Sequence, residues 1–229
     1  MTPIVIAVDG TAASGKGTLA KRLARHFGFA HLDSGSLYRL VALGVLESGG
    51  DPANEADALA AARAIDPSRA ADPAIRTDIV GKASSRVAAI PSVREALKDF
   101  QKNFIAHPPG GAPGAPSAPG AVVDGRDIGT IIAPDATAKL FVDARPEVRA
   151  HRRWLELNGM GINRDESALL AEIVARDAAD MSRAVSPLKR AADAALLDTS
   201  DLAIDAAFAA ALLLVKPGIE NALKARQGG

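Results

Sequence analysis

A chain of 229 residues with 48% apolar side chains is long enough to bury one sizeable α/β core. Its 27 basic and 27 acidic side chains cancel, which argues against a nucleic-acid binder with the usual basic excess. The absence of cysteine excludes disulfides and thiolate zinc sites and fits a reducing cytoplasm.

The first element is "PIVIAV", a β-branched run without polar alternation, as in a strand covered on both faces of a parallel sheet. The N-terminus has no basic leader and reaches Asp9 too soon for a signal peptide. After a glycine loop, "KGTLAKRLARHFG" places Leu19, Leu23 and Phe27 at helical spacing, with Gly28 as C-cap. "FAHLD" reads as a short strand and "SLYRLVALGVLESGG" as a helix ending in glycines. Residues 51–106 are mainly helical in pattern, with Asn, Asp or Pro at each helix start. Residues 107–120, "HPPGGAPGAPSAPG", have few large apolar groups and read as a flexible surface loop.

The strand pattern resumes at "GAVVDG" and "AKLFVDA". "RPEVRAHRRWLEL" is a predicted helix, "NGMGINRDE" a break, and "SALLAEIVARDAADMSRAV" a helix ending before Pro187. "AALLDTS" is a last strand and "LAIDAAFAAALLLV" a last helix. Its apolar core, "AAFAAALLLV", is short of the roughly 18 residues of a membrane span. Alternating strands and helices predict an α/β fold: a five-stranded parallel sheet flanked by helices. The expected organisation is one domain: a core of residues 1–35 and 121–229, a helical excursion at 36–106, and a short lid at about 157–166, where glycines flank Met160. No membrane or nucleic-acid partner is expected, and the chain is expected to be cytoplasmic and monomeric.

The stretch "VDGTAASGKGTLAKRLA" carries the first chemistry. Between a strand and a helix, Gly10, Thr11, Ala12, Ala13, Ser14, Gly15, Lys16, Gly17 and Thr18 form a phosphate cradle. Glycines let backbone N–H groups approach the anion, the helix N-terminus adds partial positive charge, and Lys16 reaches the β/γ-phosphates. The usual Ser or Thr after the lysine is replaced by Gly17, which has no oxygen for magnesium. Mg²⁺ held mainly through phosphates and water is therefore expected, with no protein metal site.

"GxxxxGKGT" in this setting resembles the nucleoside monophosphate kinases among P-loop proteins. Together with "LDSGSLYR", "VREAL", "DGRDIGT", "AHRR" and "RDAADMSRAVSPL" in this order, it resembles the bacterial cytidylate kinases over about residues 4–210. That resemblance implies ATP-dependent phosphorylation of CMP and dCMP, with the excursion as the monophosphate-binding part. It assigns Arg39 and Arg126 to the acceptor phosphate, where guanidinium forks suit phosphate oxygens. It assigns Arg176 and Asp180 to the ribose and Arg183 to the pyrimidine. Ser85, Arg94 and Asp127 correspond to other base-reading positions, and Ser34, Gly35, Tyr38 and Gly125 complete the acceptor wall. Lys16, Arg126 and Arg176 carry the catalytic charge, and Arg153, clustered with Arg149 and Arg152, is assigned to the ATP side. From spacing alone, Arg176, Asp180 and Arg183 share one helix face.

Two departures stand out. "AIDPSRAADPAIRT" is too short for the small antiparallel sheet usual in the family, so the excursion should be helical and smaller. Ala179 stands where the family often has an arginine, so one lid-side charge contact to the transferring phosphate is either missing or supplied by Arg176. Two other readings remain open: a small P-loop kinase for UMP, AMP or a non-nucleotide acceptor, and a nucleotide-binding switch without phosphoryl transfer. Against a GTPase-like switch, no N-K-x-D segment occurs.

Overall fold

The computed structural model describes residues 3–110 and 116–227. Residues 111–115, the middle of the predicted Pro/Gly loop, lie outside the described residues. The chain divides into a core, Met1–Leu32 with Ile105–Gly229, and an insert, Asp33–Phe104.

The core is a five-stranded sheet in the order β2-β3-β1-β4-β5. Its strands are β1 (Ile4–Gly10), β2 (Ala30–Asp33), β3 (Gly120–Gly125), β4 (Ala138–Asp143) and β5 (Ala195–Asp198). The pairs β1–β3, β1–β4 and β4–β5 are parallel, with Ile6 opposite both Val122 and Ala138. Every residue of β1 and β3 is buried, the expected consequence of apolar runs covered on both faces. The helices of the core are α1 (Lys16–Phe27), α6 (Pro146–Gly159), α7 (Glu166–Ser182) and α8 (Ile204–Gln227). Leu19 and Leu23 of α1 pack with Ile4, Ile6, Val122 and Leu140 in one aliphatic cluster.

α1 ends as the sequence predicts: Gly28 is left-handed at φ 66, and Phe29 N–H donates to Ala24 O at 2.8 Å. α8 is longer than the predicted "LAIDAAFAAALLLV", continuing through Pro217 to Gln227. Gly218 sustains it by close approach, since a Cβ there would stand 2.9 Å from Thr137 O. α8 meets the length and composition of a membrane span, with a mean hydropathy of 1.4 over its best window. Its Ala207, Ala211, Val215 and Ile219, spaced by four, are seated in the core cluster.

The insert contains α2 (Ser34–Glu47), α3 (Glu55–Arg63), α4 (Asp78–Val87) and most of α5 (Pro91–Ala106). The short stretch before "IRT" forms two 3₁₀ turns, Pro67–Ala71 and Pro73–Arg76, and no strand follows Asp33 within the insert. Local side chains start these elements: Asn54 accepts from Ala56 and Asp57 N–H, Asp66 from Ser68, and Asp72 from Ala74.

Candidate active site

The phosphate loop leaves β1 at Gly10, where a Cβ would lie 2.0 Å from Val142 O, so no other residue fits. Gly15 at φ 86 and Ala13 at φ 58 turn the backbone through left-handed conformations. Beneath the loop is a polar frame. Thr11 donates to Asp143 Oδ1 at 2.7 Å, Ser14 Oγ to Thr11 O at 3.1 Å, and Ala12 N–H to Asp177 Oδ1 at 3.3 Å. Thr199 donates its hydroxyl to Ser14 O at 3.1 Å. Lys16 Nζ donates to Thr11 O at 3.4 Å, and Thr18 is exposed.

The three clustered arginines of α6 have separate partners. Arg149 is buried, donates to Ala12 O at 3.0 Å and Ala144 O at 2.7 Å, and is paired with Asp177. It is a brace under the loop. Arg152 donates to Thr199 O at 2.6 Å and so supports the same frame. Arg153, assigned to the ATP side, donates to Glu156 on its own helix at 2.8 Å. The predicted break corresponds to residues 160–165 between α6 and α7, where Gly161 is left-handed at φ 75 and Met160 is exposed.

On the core, β3 leads through Gly125 into Arg126 and Asp127, then into a π-helical turn, Ile128–Ile132, that sequence periodicity did not reveal. Arg126 Nε donates to Asp180 Oδ2 at 2.8 Å, and Arg183 to Asp180 Oδ1 at 2.6 Å. Burial pushes the Asp180 carboxyl up, but the charges of Arg126, Arg183 and Arg176 outweigh it and hold it below the usual carboxylate range. The structure therefore brings Gly125, Arg126, Asp127, Arg176, Asp180 and Arg183 into one charged group. One detail is corrected: α7 ends at Ser182, and Arg183, at ψ 135, lies past the helix and not on its face. Its bond back to Asp180 restores the grouping.

The insert carries the other assigned residues. Asp33 caps α2 by accepting from Ser36 N–H at 3.1 Å, with Ser34 buried and Gly35 exposed in the first turn. Arg39 donates to Ile75 O at 2.7 Å. Arg94 of α5 is buried, donates to Ala88 O at 3.0 Å, and lies 5.3 Å from the Tyr38 ring centroid. Ser85 is half-buried on α4. A cavity of about 460 Å³ in the insert is lined by Leu40, Gly44, Glu47, Ala60 and Arg69 and contains none of these acceptor residues.

Sequence reasoning missed most of the loop's supports, and of these only Asp143 belongs to a pattern legible in the sequence. Each strand places an aspartate at its carboxyl end: Asp9, Asp33, Asp124, Asp143 and Asp198. Asp124 is buried and bonded to His31 Nε2 at 2.7 Å. Its Oδ2 lies 3.6 Å from where a Gly17 Cβ would stand. A carboxylate oxygen beside this side-chain-free position is a hard donor of the kind magnesium takes. This donor set fits magnesium carried by nucleotide phosphates.

A family model described as cytidylate kinase matches residues 6–216. A cytidylate kinase of Afipia carboxidovorans is 53% identical over 213 residues, covering 93% of this chain and 97% of that one. A cytidylate kinase of Rhodopseudomonas palustris is 54% identical, with 93% and 96% covered. Among solved structures, an uncharacterized protein from Eubacterium ventriosum matches with a TM-score of 0.54 at 13% identity, covering 93% of this chain and 98% of that one. That likeness concerns the fold alone.

Proposed function

The chain belongs to the cytidylate kinase family, and from that premise we propose that it transfers the γ-phosphoryl group of ATP to CMP and dCMP, giving ADP and the cytidine diphosphate. The observation that carries this reading is the grouping of Arg126, Arg183 and Arg176 around the buried carboxylate of Asp180, on the same unit as a braced phosphate loop. Positive charge concentrated there suits an acceptor that is itself a phosphate, because two anions must meet at transfer distance.

In this reading Lys16 and the loop amides hold the β/γ-phosphates, and Mg²⁺ supplies further charge neutralisation when bound with ATP. Arg126 and Arg39 take the acceptor phosphate, and Arg126 and Arg176 neutralise charge gathering on the transferred group. Asp180 orients Arg126 and Arg183 and, with Arg176, meets the ribose. Asp127 and Arg183 read the base, with Ser85 and Arg94 contributing from the insert. Ser34, Gly35, Tyr38 and Gly125 complete the acceptor wall. The segment at about 157–166 serves as the lid, with Arg153 on the ATP side. A general base is not required, since the acceptor phosphate is already anionic near neutral pH. Incubation with Mg-ATP and CMP, with products identified by mass, should yield CDP and ADP in equal amounts. ADP without CDP, or no turnover, would reject the proposal.

A further inference from the structure

Asp9 is used by neither the loop chemistry nor the acceptor assignments above, yet it is 5% exposed and lies at the chain position just before Gly10. Its Oδ1 accepts from Ile128 N–H at 2.9 Å and its Oδ2 from Gly129 N–H at 2.7 Å. These are the first two amides of the π-helical turn that follows Arg126 and Asp127. Gly129 is packed close to the carboxylate, with a Cβ there falling 3.4 Å from Asp9 Oδ2 and 3.2 Å from Lys139 Cδ. One side chain on the donor strand thus holds the start of the turn that carries the acceptor arginine.

We propose that Asp9 is a positioning residue that clamps the Arg126–Asp127 turn to the phosphate-loop end of β1, so that acceptor alignment depends on its ionised carboxylate. The inference rests on the reading of Arg126 as an acceptor-phosphate residue. Both Asp9 oxygens are acceptors only while the group is ionised, and protonation turns one into a donor facing an N–H. Burial raises the Asp9 carboxyl to about 6, against the opposing effect of the Gly129 and Ile128 amides. Of the charged groups around it, Asp127 opposes ionisation and Arg126 favours it. Lys139 of β4 passes Gly129 with its ammonium on Asp193 at 2.8 Å, and Asp124 of β3 is bonded to His31. The clamp therefore loosens as pH falls through about 6.

Two measurements on the full chain test it. In nucleotide-free wild type, the Gly129 and Ile128 amide resonances should titrate together with a midpoint near 6, and resonances that stay flat between about pH 5 and 8 would overturn the clamp. Asp9→Asn places an NH₂ against one of the two amides. At about pH 8 it should lower kcat/KM for CMP about 10- to 100-fold while KM for ATP stays near wild type. The wild-type to Asp9→Asn ratio should shrink toward one as pH falls, and ionisation of CMP itself cancels in that ratio. A ratio independent of pH, or a matching rise in KM for ATP, would mean general structural damage and reject the proposal. If wild type fails to phosphorylate CMP, the functional reading falls, while the amide titration still decides whether the clamp exists.

Discussion

In the core, Asp9, Asp177 and Arg149 are buried, and each is engaged by backbone or by an opposite charge beneath the loop after β1 or at the turn after Asp127. In the insert, the strongest polar contact, Arg69 with Glu47 and Asp72, lies at the surface, and helices begin on exposed Asn54 and Asp66 caps. Arg94 is the exception, buried against Ala88 O and the Tyr38 ring. The contrast separates two kinds of constraint. A core whose buried charges hold loops at fixed distances tolerates little change. A small helical body resting on local caps depends less on contacts distant in sequence.

The comparison can be broken first at Arg149. Arg149→Met leaves Asp177 charged and buried without its partner and should cost about 3–5 kcal/mol in denaturant unfolding. A loss under about 1 kcal/mol would mean the frame beneath the loop is dispensable. Next, Lys16→Met should lower turnover about 10²–10³-fold while calorimetry shows CMP binding retained. A parallel loss of CMP affinity would erase the division between donor and acceptor residues.

At the small end, Arg69→Ala should move the melting midpoint by no more than about 2 °C and leave kcat/KM for CMP unchanged, because exposed ion pairs contribute little. A larger shift would show that the insert relies on its surface network as the core relies on its buried one.

What could be read in advance divides along the same line. The strands and helices followed from apolar runs, glycines and caps, because those signals are local. The phosphate loop, Arg126 and Asp180 were visible as motifs. The π-helical turn was not, since it is set by Asp9, some 119 positions away in sequence. Spacing groups Arg149 with Arg152 and Arg153, whereas its burial comes from Ala12 and Asp177 on other elements. Arg183 was placed on a helix face because periodicity carries no record of where the helix stops, and α7 stops at Ser182. Of the aspartates closing the strands, Asp33 and Asp198 cap Ser36 and Ser200 a few residues on, whereas the partners of Asp9, Asp124 and Asp143 are distant in sequence and only the fold supplies them.

The proposed cytosine-reading acceptor site lies on the core turn at Arg126 and Asp127. Asp127 is buried at the start of the π-helical turn. A carboxylate there can accept from the exocyclic amine of cytosine but faces the corresponding oxygen of uracil as one acceptor facing another. Leaving such a group unmatched costs about 1–3 kcal/mol, so with Arg183 a preference of roughly a hundredfold for CMP over UMP is within reach. The direct test is kcat/KM for CMP and for UMP on wild type and Asp127→Ala. The account predicts that the variant loses CMP efficiency strongly and UMP efficiency far less, so that their ratio falls about tenfold or more. An equal loss for both nucleotides, with the ratio unchanged, would show that Asp127 only anchors Arg126 and would contradict base reading by the core.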